Sequence, residues 1–122
     1  MITFDRVSKR YPGGQQALAN LSFSLARGEF AFVTGHSGAG KSTLLKLVLG
    51  IEKPSGGKLV VNGNEMGLIS SKMLSLHRRQ IGTVFQDHQL LNDRSVYDNV
   101  ALPLEISGLD PREGKRRVRA AL

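Results

Sequence analysis

Hydrophobic and polar residues alternate along two segments near the start of the chain. In residues 2–11 the apolar side chains, Phe4 and Val7 among them, lie on one side, and residues 19–25 alternate with a period of two. Such alternation is typical of β-strands that are buried on one face. A Pro-Gly-Gly turn at residues 12–14 separates the segments, so the pattern predicts two antiparallel strands.

Other apolar segments predict further strands. Residues 30–33 are continuously apolar, which is typical of a strand buried on both faces, and residues 81–85 predict another short buried strand. Residues 59–61 predict a strand that runs into a tight Asn-Gly turn at residues 62–63. We interpret the Ser-Gly-Gly of residues 55–57 as a turn.

The spacing of apolar residues also predicts helices. Residues 41–49 have apolar side chains in nearly every direction, so we expect a buried helix that ends before Gly50. Residues 71–79 predict a short helix, and residues 97–106 predict a weak one in which Pro103 limits regularity.

The last segment carries a clear helix start. Asp110 can cap the helix, Pro111 suits its first position, and Glu113 completes a capping box. Residues 111–122 hold five Lys and Arg against one Glu. More than half of the chain's net charge of +7 therefore lies in this helix.

Composition narrows the class of protein. The 122 residues suit one domain, and 40% hydrophobic with 22% charged residues excludes a disordered or fibrous chain. The chain has no cysteine, which excludes disulfides and thiolate metal sites. The basic charge suggests nucleic acid or an anionic membrane as partner, but its concentration in one helix leads us to expect no nucleic-acid partner. We find no signal peptide and no apolar run near the roughly 18 residues of a membrane span, so we expect a cytoplasmic chain.

A glycine-rich segment follows directly after the predicted strand at residues 30–33. Residues 35–42 fit the phosphate-loop pattern G-x-x-x-x-G-K-[ST]. Its glycines let successive N–H groups surround an anion, and the helix that follows points its positive dipole end at the same place. The lysine can reach the β- and γ-phosphates, and the serine hydroxyl can bind Mg²⁺. The predicted nucleotide-binding residues here are Gly35, His36, Ser37, Gly38, Ala39, Gly40, Lys41, Ser42 and Thr43.

Two further residues extend this pattern. Tyr11 stands 24 residues before Gly35, at the end of the first predicted strand, and Gln86 stands 45 residues after Lys41. In this order the chain resembles the first half of the ATP-binding-cassette (ABC) ATPases. The resemblance implies an α/β phosphate-loop NTPase fold, in which an antiparallel β subdomain precedes the start of a parallel core sheet. It also implies ATP and Mg²⁺ as cofactors, Tyr11 stacked on adenine, and Gln86 beside Mg²⁺ and the attacking water.

The amino-acid sequences of several segments are similar to those of the bacterial cell-division branch of these ATPases. The more discriminating residues are His36 inside the loop and Asp87-His88 after Gln86. This resemblance implies a transmembrane permease that contacts the chain near residues 86–91, a homodimer of ATPase subunits, and a place on the inner face of the plasma membrane. Branches that serve lipoprotein release or macrolide export remain alternatives.

Several motifs of this family do not occur in the 122 residues. There is no Leu-Ser-Gly-Gly signature, no apolar strand that ends in Asp before a catalytic Glu, and no later switch histidine. We therefore expect residues 1–122 to form part of a nucleotide-binding domain that binds nucleotide without appreciable hydrolysis. We expect the chain to be either an N-terminal fragment or the product of a truncated reading frame. Its core sheet would then lack strands and expose an apolar edge.

Two interpretations from other classes stay open at this point. A soluble phosphate-loop kinase would transfer phosphate to a small acceptor, and a basic nucleic-acid-binding module would bind with a steep salt dependence. The remaining histidines, His77 and His88, are expected at the surface or at an interface rather than as metal ligands. His36 is expected to fill the loop, and Met66 and Met73 to contribute packing.

Overall fold

The computed structural model of the protein describes residues 1–122 throughout. The chain divides into two compact units, Met1–Arg78 and Arg79–Leu122. The elements follow in the order β1 (Ile2–Arg10), β2 (Gln16–Leu25), α1 (Lys41–Val48), β3 (Gly56–Val61), β4 (Asn64–Glu65), α2 (Ser71–Arg79), α3 (Val96–Ile106) and α4 (Pro111–Ala121).

The first unit contains one antiparallel sheet with the strand order β2-β1-β3-β4. The two predicted strands at the start of the chain are confirmed. The tight turn between β3 and β4 is also confirmed, because Asn62 and Gly63 both have positive φ, at 49° and 83°, as a type I′ hairpin turn requires. The interpretation of residues 55–57 as a turn is wrong in part, because β3 already begins at Gly56, which pairs with Ser8 of β1.

A pair of irregularities keeps the buried side chains of β1 on one face. Arg6 and Asn20 both have a φ of 48°, and the register of β1 with β2 shifts on either side of Val7. The Arg6 N–H donates to Ser22 Oγ at 2.8 Å, and the Asn20 N–H donates to Ser8 Oγ at 2.9 Å. At such a β-bulge one strand has an extra residue, which changes the side of the sheet to which the following side chains point. This is why the buried residues of β1 are Phe4, Val7 and Lys9.

Helix α1 ends where the sequence predicts, with Leu49 as its C-cap and Gly50 in the left-handed region. Leu47 and Val48 are buried, but Leu45 is 55% exposed. The prediction that this helix is buried in every direction is therefore wrong. The physical reason is that the first unit covers only one side of the helix.

His77 of α2 is buried rather than exposed at the surface, at 1% exposure. Its Nε2 bonds to the carbonyl oxygen of Val48 at 2.8 Å, and the neighbouring Arg78 donates to the carbonyls of Leu49 and Gly50 at 3.1 and 2.8 Å. The expectation of a surface histidine is wrong because the last carbonyls of α1 lack partners within their own helix. Helix α2 supplies those partners.

The predicted strands at residues 30–33 and 81–85 do not form. Phe30 and Phe32 are 81% and 83% exposed, and Val84 is 95% exposed. A buried strand needs neighbours to pair with and layers to cover its faces. Strands β1 to β4 pair only with one another, so neither segment gains a partner.

The two methionines expected to contribute packing differ. Met66 is fully buried, as predicted, whereas Met73 on α2 is 44% exposed. The expectation for Met73 is wrong because it lies on the outer side of its helix.

The second unit contains helices α3 and α4. Both predicted helices are confirmed, and α3 continues through Pro103. Asp110 caps α4, since its carboxylate accepts from the N–H groups of Arg112 and Glu113 at 2.9 and 3.3 Å. Glu113 does not return a bond to the cap residue; it pairs instead with Arg116 and Arg117. No helix in the structure has the length and apolar character needed to cross a membrane.

Candidate functional site

The glycine-rich loop runs from residue 35 to residue 40 and leads directly into α1. Gly40 has a φ of 93°, and a Cβ at this position would collide with the backbone oxygen of Ala17 and lie 2.9 Å from Leu18 Cδ2. Only glycine combines this backbone angle with so close an approach to β2. The sheet therefore holds the end of the loop, and with it the start of the helix, in a defined place.

The start of α1 has the electrostatics of an anion site. Gly40 provides no side-chain cap, and no acidic residue lies in the first turn. The first N–H groups of the helix therefore keep their hydrogen-bonding capacity, and the positive end of the helix dipole is not neutralised. A phosphate group would accept hydrogen bonds from these N–H groups, and its negative charge would interact favourably with the dipole. Ser42 is exposed in this turn, so its hydroxyl is accessible to a cation bound beside the phosphates.

The ammonium group of Lys41 lies over the loop. Its Nζ donates to the carbonyl oxygens of Gly35 at 2.6 Å and His36 at 2.8 Å. A full positive charge thus lies beside the N-terminus of α1. The ring of His36 contacts the loop itself, since its Nδ1 lies 2.7 Å from the carbonyl oxygen of the next residue, Ser37. This contact suits the loop-filling role expected for His36.

Tyr11 is joined to the first turn of α1. Its hydroxyl lies 3.3 Å from Oγ1 of Thr43, a residue that is itself buried. The Tyr11 N–H also donates to the Gln15 carbonyl at 2.9 Å, which closes the turn after β1. The structure therefore brings together, within the first unit, the aromatic residue and the glycine-rich loop that the sequence had placed 24 positions apart.

Sequence reasoning missed Lys9. This lysine is only 9% exposed, and its Nζ lies 5.1 Å from the centroid of the Tyr11 ring. The same Nζ donates to Glu52 Oε2 at 2.7 Å and to the Lys53 carbonyl at 2.9 Å. A signal was present, since residues i and i+2 of a strand share a face. A charged residue on the buried face of β1 could have been singled out.

Gln86 lies in the second unit, exposed in the irregular segment between α2 and α3. The neighbouring residues 87–91 are exposed as well, and this includes His88, for which a surface position was expected. The role predicted for Gln86 beside Mg²⁺ and water stays a prediction. The structure contains no group of three or more His, Asp or Glu residues that could hold a metal ion among themselves.

Comparison with protein families gives a match to the ABC transporter model over residues 18–122. The chain belongs to the ABC transporter family. Among its ABC relatives is the cell division ATP-binding protein FtsE of Escherichia coli K12, which is 56% identical over 122 residues, covering 100% of this chain and 55% of that protein. The methionine import ATP-binding protein MetN of Rhizobium meliloti is 49% identical over 126 residues, covering 99% of this chain and 35% of that protein.

Solved structures show the same fold. The ATP-binding cassette MJ0796, in a dimeric post-hydrolysis state bound to ADP and Pi, superposes with a TM-score of 0.89 at 30% identity. The match covers 98% of this chain and 55% of that one. The chain thus spans about half the length of the relatives it matches. Its α/β fold is that of an ABC ATPase cassette, which favours the ABC interpretation over a soluble kinase and over a nucleic-acid-binding module.

Proposed function

We propose that the chain forms the nucleotide-holding part of an FtsE-like ATP-binding subunit of an ABC-type membrane complex. The observation that carries the proposal is the bond between Tyr11 and Thr43, which places an aromatic ring beside the start of the phosphate-loop helix. In this arrangement the adenine stacks on Tyr11 and the phosphates lie against the loop and the N–H groups of α1. The cell-division assignment rests on the 56% identity to FtsE over the whole chain.

The residues of the loop suit MgATP. Lys41 neutralises phosphate charge, and the exposed hydroxyl of Ser42 is an oxygen ligand of the kind that Mg²⁺ accepts. The other loop residues, Gly35 to Gly40, provide the backbone that surrounds the phosphates, and Thr43 fixes Tyr11. Gln86 is proposed to help position Mg²⁺ and the attacking water.

We further propose that residues 1–122 bind ATP without appreciable hydrolysis. Phosphoryl transfer to water needs a residue that orients the water, and transition-state charge must be stabilised from several sides. Neither the signature Leu-Ser-Gly-Gly nor an apolar strand followed by Asp-Glu occurs in this sequence. Residues 1–122 would then act as part of one nucleotide-binding domain.

The partners follow from the same assignment. We propose that an FtsX-like transmembrane permease contacts the chain near residues 86–91, which are all exposed. The subunit would pair with a second copy, as the dimeric cassette MJ0796 does. Its place would be on the cytoplasmic face of the inner membrane, held there by the permease.

Nucleotide binding is tested by titrating the chain with a fluorescent ATP analogue in the presence of Mg²⁺. Wild-type chain should bind, and Lys41→Ala should lose most of the affinity because a phosphate contact is gone. Lys46→Ala is the matched control, since Lys46 lies exposed in the last turn of the same helix. Equal binding by Lys41→Ala and Lys46→Ala would contradict the site. Phosphate release above background by the wild-type chain would contradict binding without hydrolysis.

The relationship to MetN supports a second candidate, an ATP-binding subunit of an importer, at the lower identity of 49%. Co-purification of the chain with each permease separates the two candidates. Retention by an FtsX-like permease, and loss of retention when residues 86–91 are replaced by a Gly-Ser sequence, would support the cell-division assignment. Retention only by an importer permease would support the second candidate.

A further inference from the structure

Lys9 is a buried cation whose ammonium group lies over the aromatic ring of Tyr11. The side chain keeps only 11% of its surface exposed. Two of the three donor positions on its ammonium group are engaged, by Glu52 Oε2 at 2.7 Å and by the Lys53 carbonyl at 2.9 Å. Both acceptors lie in the segment that follows α1, so the ammonium is fixed between that segment and the end of β1.

The fixed ammonium covers one face of the Tyr11 ring, with 5.1 Å between Nζ and the ring centroid. A cation at this distance is attracted to the electron-rich face of an aromatic ring. The hydroxyl of the same residue is joined to Thr43 at 3.3 Å. Tyr11 is therefore held at two points, by Lys9 on its face and by Thr43 at its edge.

We infer that Lys9 is a positioning residue for base recognition, and this inference rests on the proposed binding of ATP. With one face of the ring covered by Lys9, a purine base can stack only on the other face. The ammonium also draws ring electron density toward itself, which makes the free face less repulsive to the π-electrons of a second aromatic system. Lys9 thus directs where the base lies and strengthens its stacking, without touching the triphosphate.

The test compares two ligands, MgATP and magnesium tripolyphosphate, which has the phosphates but no base. In Lys9→Met the aliphatic stem stays and the charge is lost. We expect the affinity for MgATP to fall about threefold to tenfold, the range of one partly desolvated cation–π contact, while the affinity for tripolyphosphate stays unchanged. Lys9→Arg keeps a cation over the ring and should restore most of the MgATP affinity. Lys53→Met is the matched control, because only its backbone carbonyl contacts Lys9.

A double-mutant cycle shows whether Lys9 acts through Tyr11. In a Tyr11→Ala background, Lys9→Met should have no further effect on MgATP affinity. If Lys9→Met unfolds the chain by leaving Glu52 without its partner, the variant Lys9→Met/Glu52→Met removes both charges together and is measured in its place. Thermal unfolding of each variant, followed by circular dichroism, establishes that it is folded.

The outcomes separate this inference from the proposed function. If the wild-type chain binds neither ligand, both are overturned. If it binds MgATP and Lys9→Met binds MgATP equally well, only the role of Lys9 is overturned. An equal loss for both ligands also overturns it, because Lys9 would then support the whole site rather than the base. A selective loss for MgATP that disappears in the Tyr11→Ala background supports it.

Discussion

The Tyr11 hydroxyl lies 3.3 Å from Oγ1 of Thr43, so the end of β1 is hydrogen-bonded to the first turn of α1. The two residues are in contact although they lie 32 positions apart in the sequence. This contact joins the aromatic ring proposed to stack on the base to the helix turn proposed to bind the phosphates. The stacking and hydrogen-bonding functions of Tyr11 can be separated by substitution.

Tyr11→Phe keeps the ring and loses the hydroxyl, whereas Tyr11→Ala loses both. We expect Tyr11→Phe to bind the fluorescent ATP analogue almost as wild type, with a free energy of unfolding lower by about 0.5–1.5 kcal/mol for one hydrogen bond. Tyr11→Ala should weaken ATP binding by about 1–3 kcal/mol, the usual value of one base–aromatic stack. Titration and urea unfolding measure the two effects. Equal ATP affinities for the two variants would show that the ring does not stack on the base.

Gly40→Ala should destabilise the loop and weaken ATP binding together. The added Cβ would meet the Ala17 backbone and Leu18, and the backbone would stay at a φ of 93°. The left-handed conformation alone costs about 1–2 kcal/mol for alanine, and the collision adds to it. Gly13→Ala is the matched control, because nothing lies within 4 Å of its Cβ and its φ is not positive. Similar unfolding free energies for both variants would contradict the close packing of the loop on β2.

His77→Phe should lower the free energy of unfolding by about 1–3 kcal/mol, because the buried carbonyl of Val48 loses its hydrogen-bond partner. Arg79→Met, two residues further along α2 and exposed, should change it by less than about 0.5 kcal/mol. Urea unfolding followed by circular dichroism compares the two. If the two substitutions cost the same, the bond between α2 and the end of α1 contributes nothing measurable.

Glu113 should make the stability of α4 depend on pH. The hydrogen bonds from Arg116 and then Arg117 lower the pKa of its carboxyl from 4.5 to about 2. A lowered pKa means that the stabilising contribution is complete above the unfolded value of 4.5 and is lost as the pH falls through about 2. We therefore expect helicity to fall on acidification below pH 4.5 in wild type, and to fall less in Glu113→Gln.

Glu105→Gln is the control for this titration, since Glu105 lies on α3 and makes no salt bridge. Far-ultraviolet circular dichroism from pH 7 to pH 2 gives the helicity, and NMR titration of the carboxyl carbons gives the pKa of Glu113 directly. The ion pairs are exposed, so their contribution should also diminish in high salt. A Glu113 pKa near 4.5 would contradict the double pairing with Arg116 and Arg117.

The sequence alone determined the features of this protein that depend on neighbouring residues. The alternation in β1 and β2, the Asn-Gly turn at residues 62–63, the glycine stop after α1 and the Asp110 cap are all local, and the structure contains each of them. The phosphate loop is local as well, since its glycines, lysine and helix follow one another directly along the chain.

Only the tertiary structure decided which segments and side chains are covered. Residues 30–33 and 81–85 have apolar composition but no pairing partner, so both segments stay unpaired, the first of them exposed throughout and the second at its central residues 82–84. Lys9 and His77 carry polar side chains, yet both are buried, because carbonyls and a carboxylate far along the chain bond to the Lys9 ammonium and to Nε2 of His77. Burial and strand pairing depend on residues that are distant in sequence, and a periodic pattern in one segment does not show whether those partners reach it.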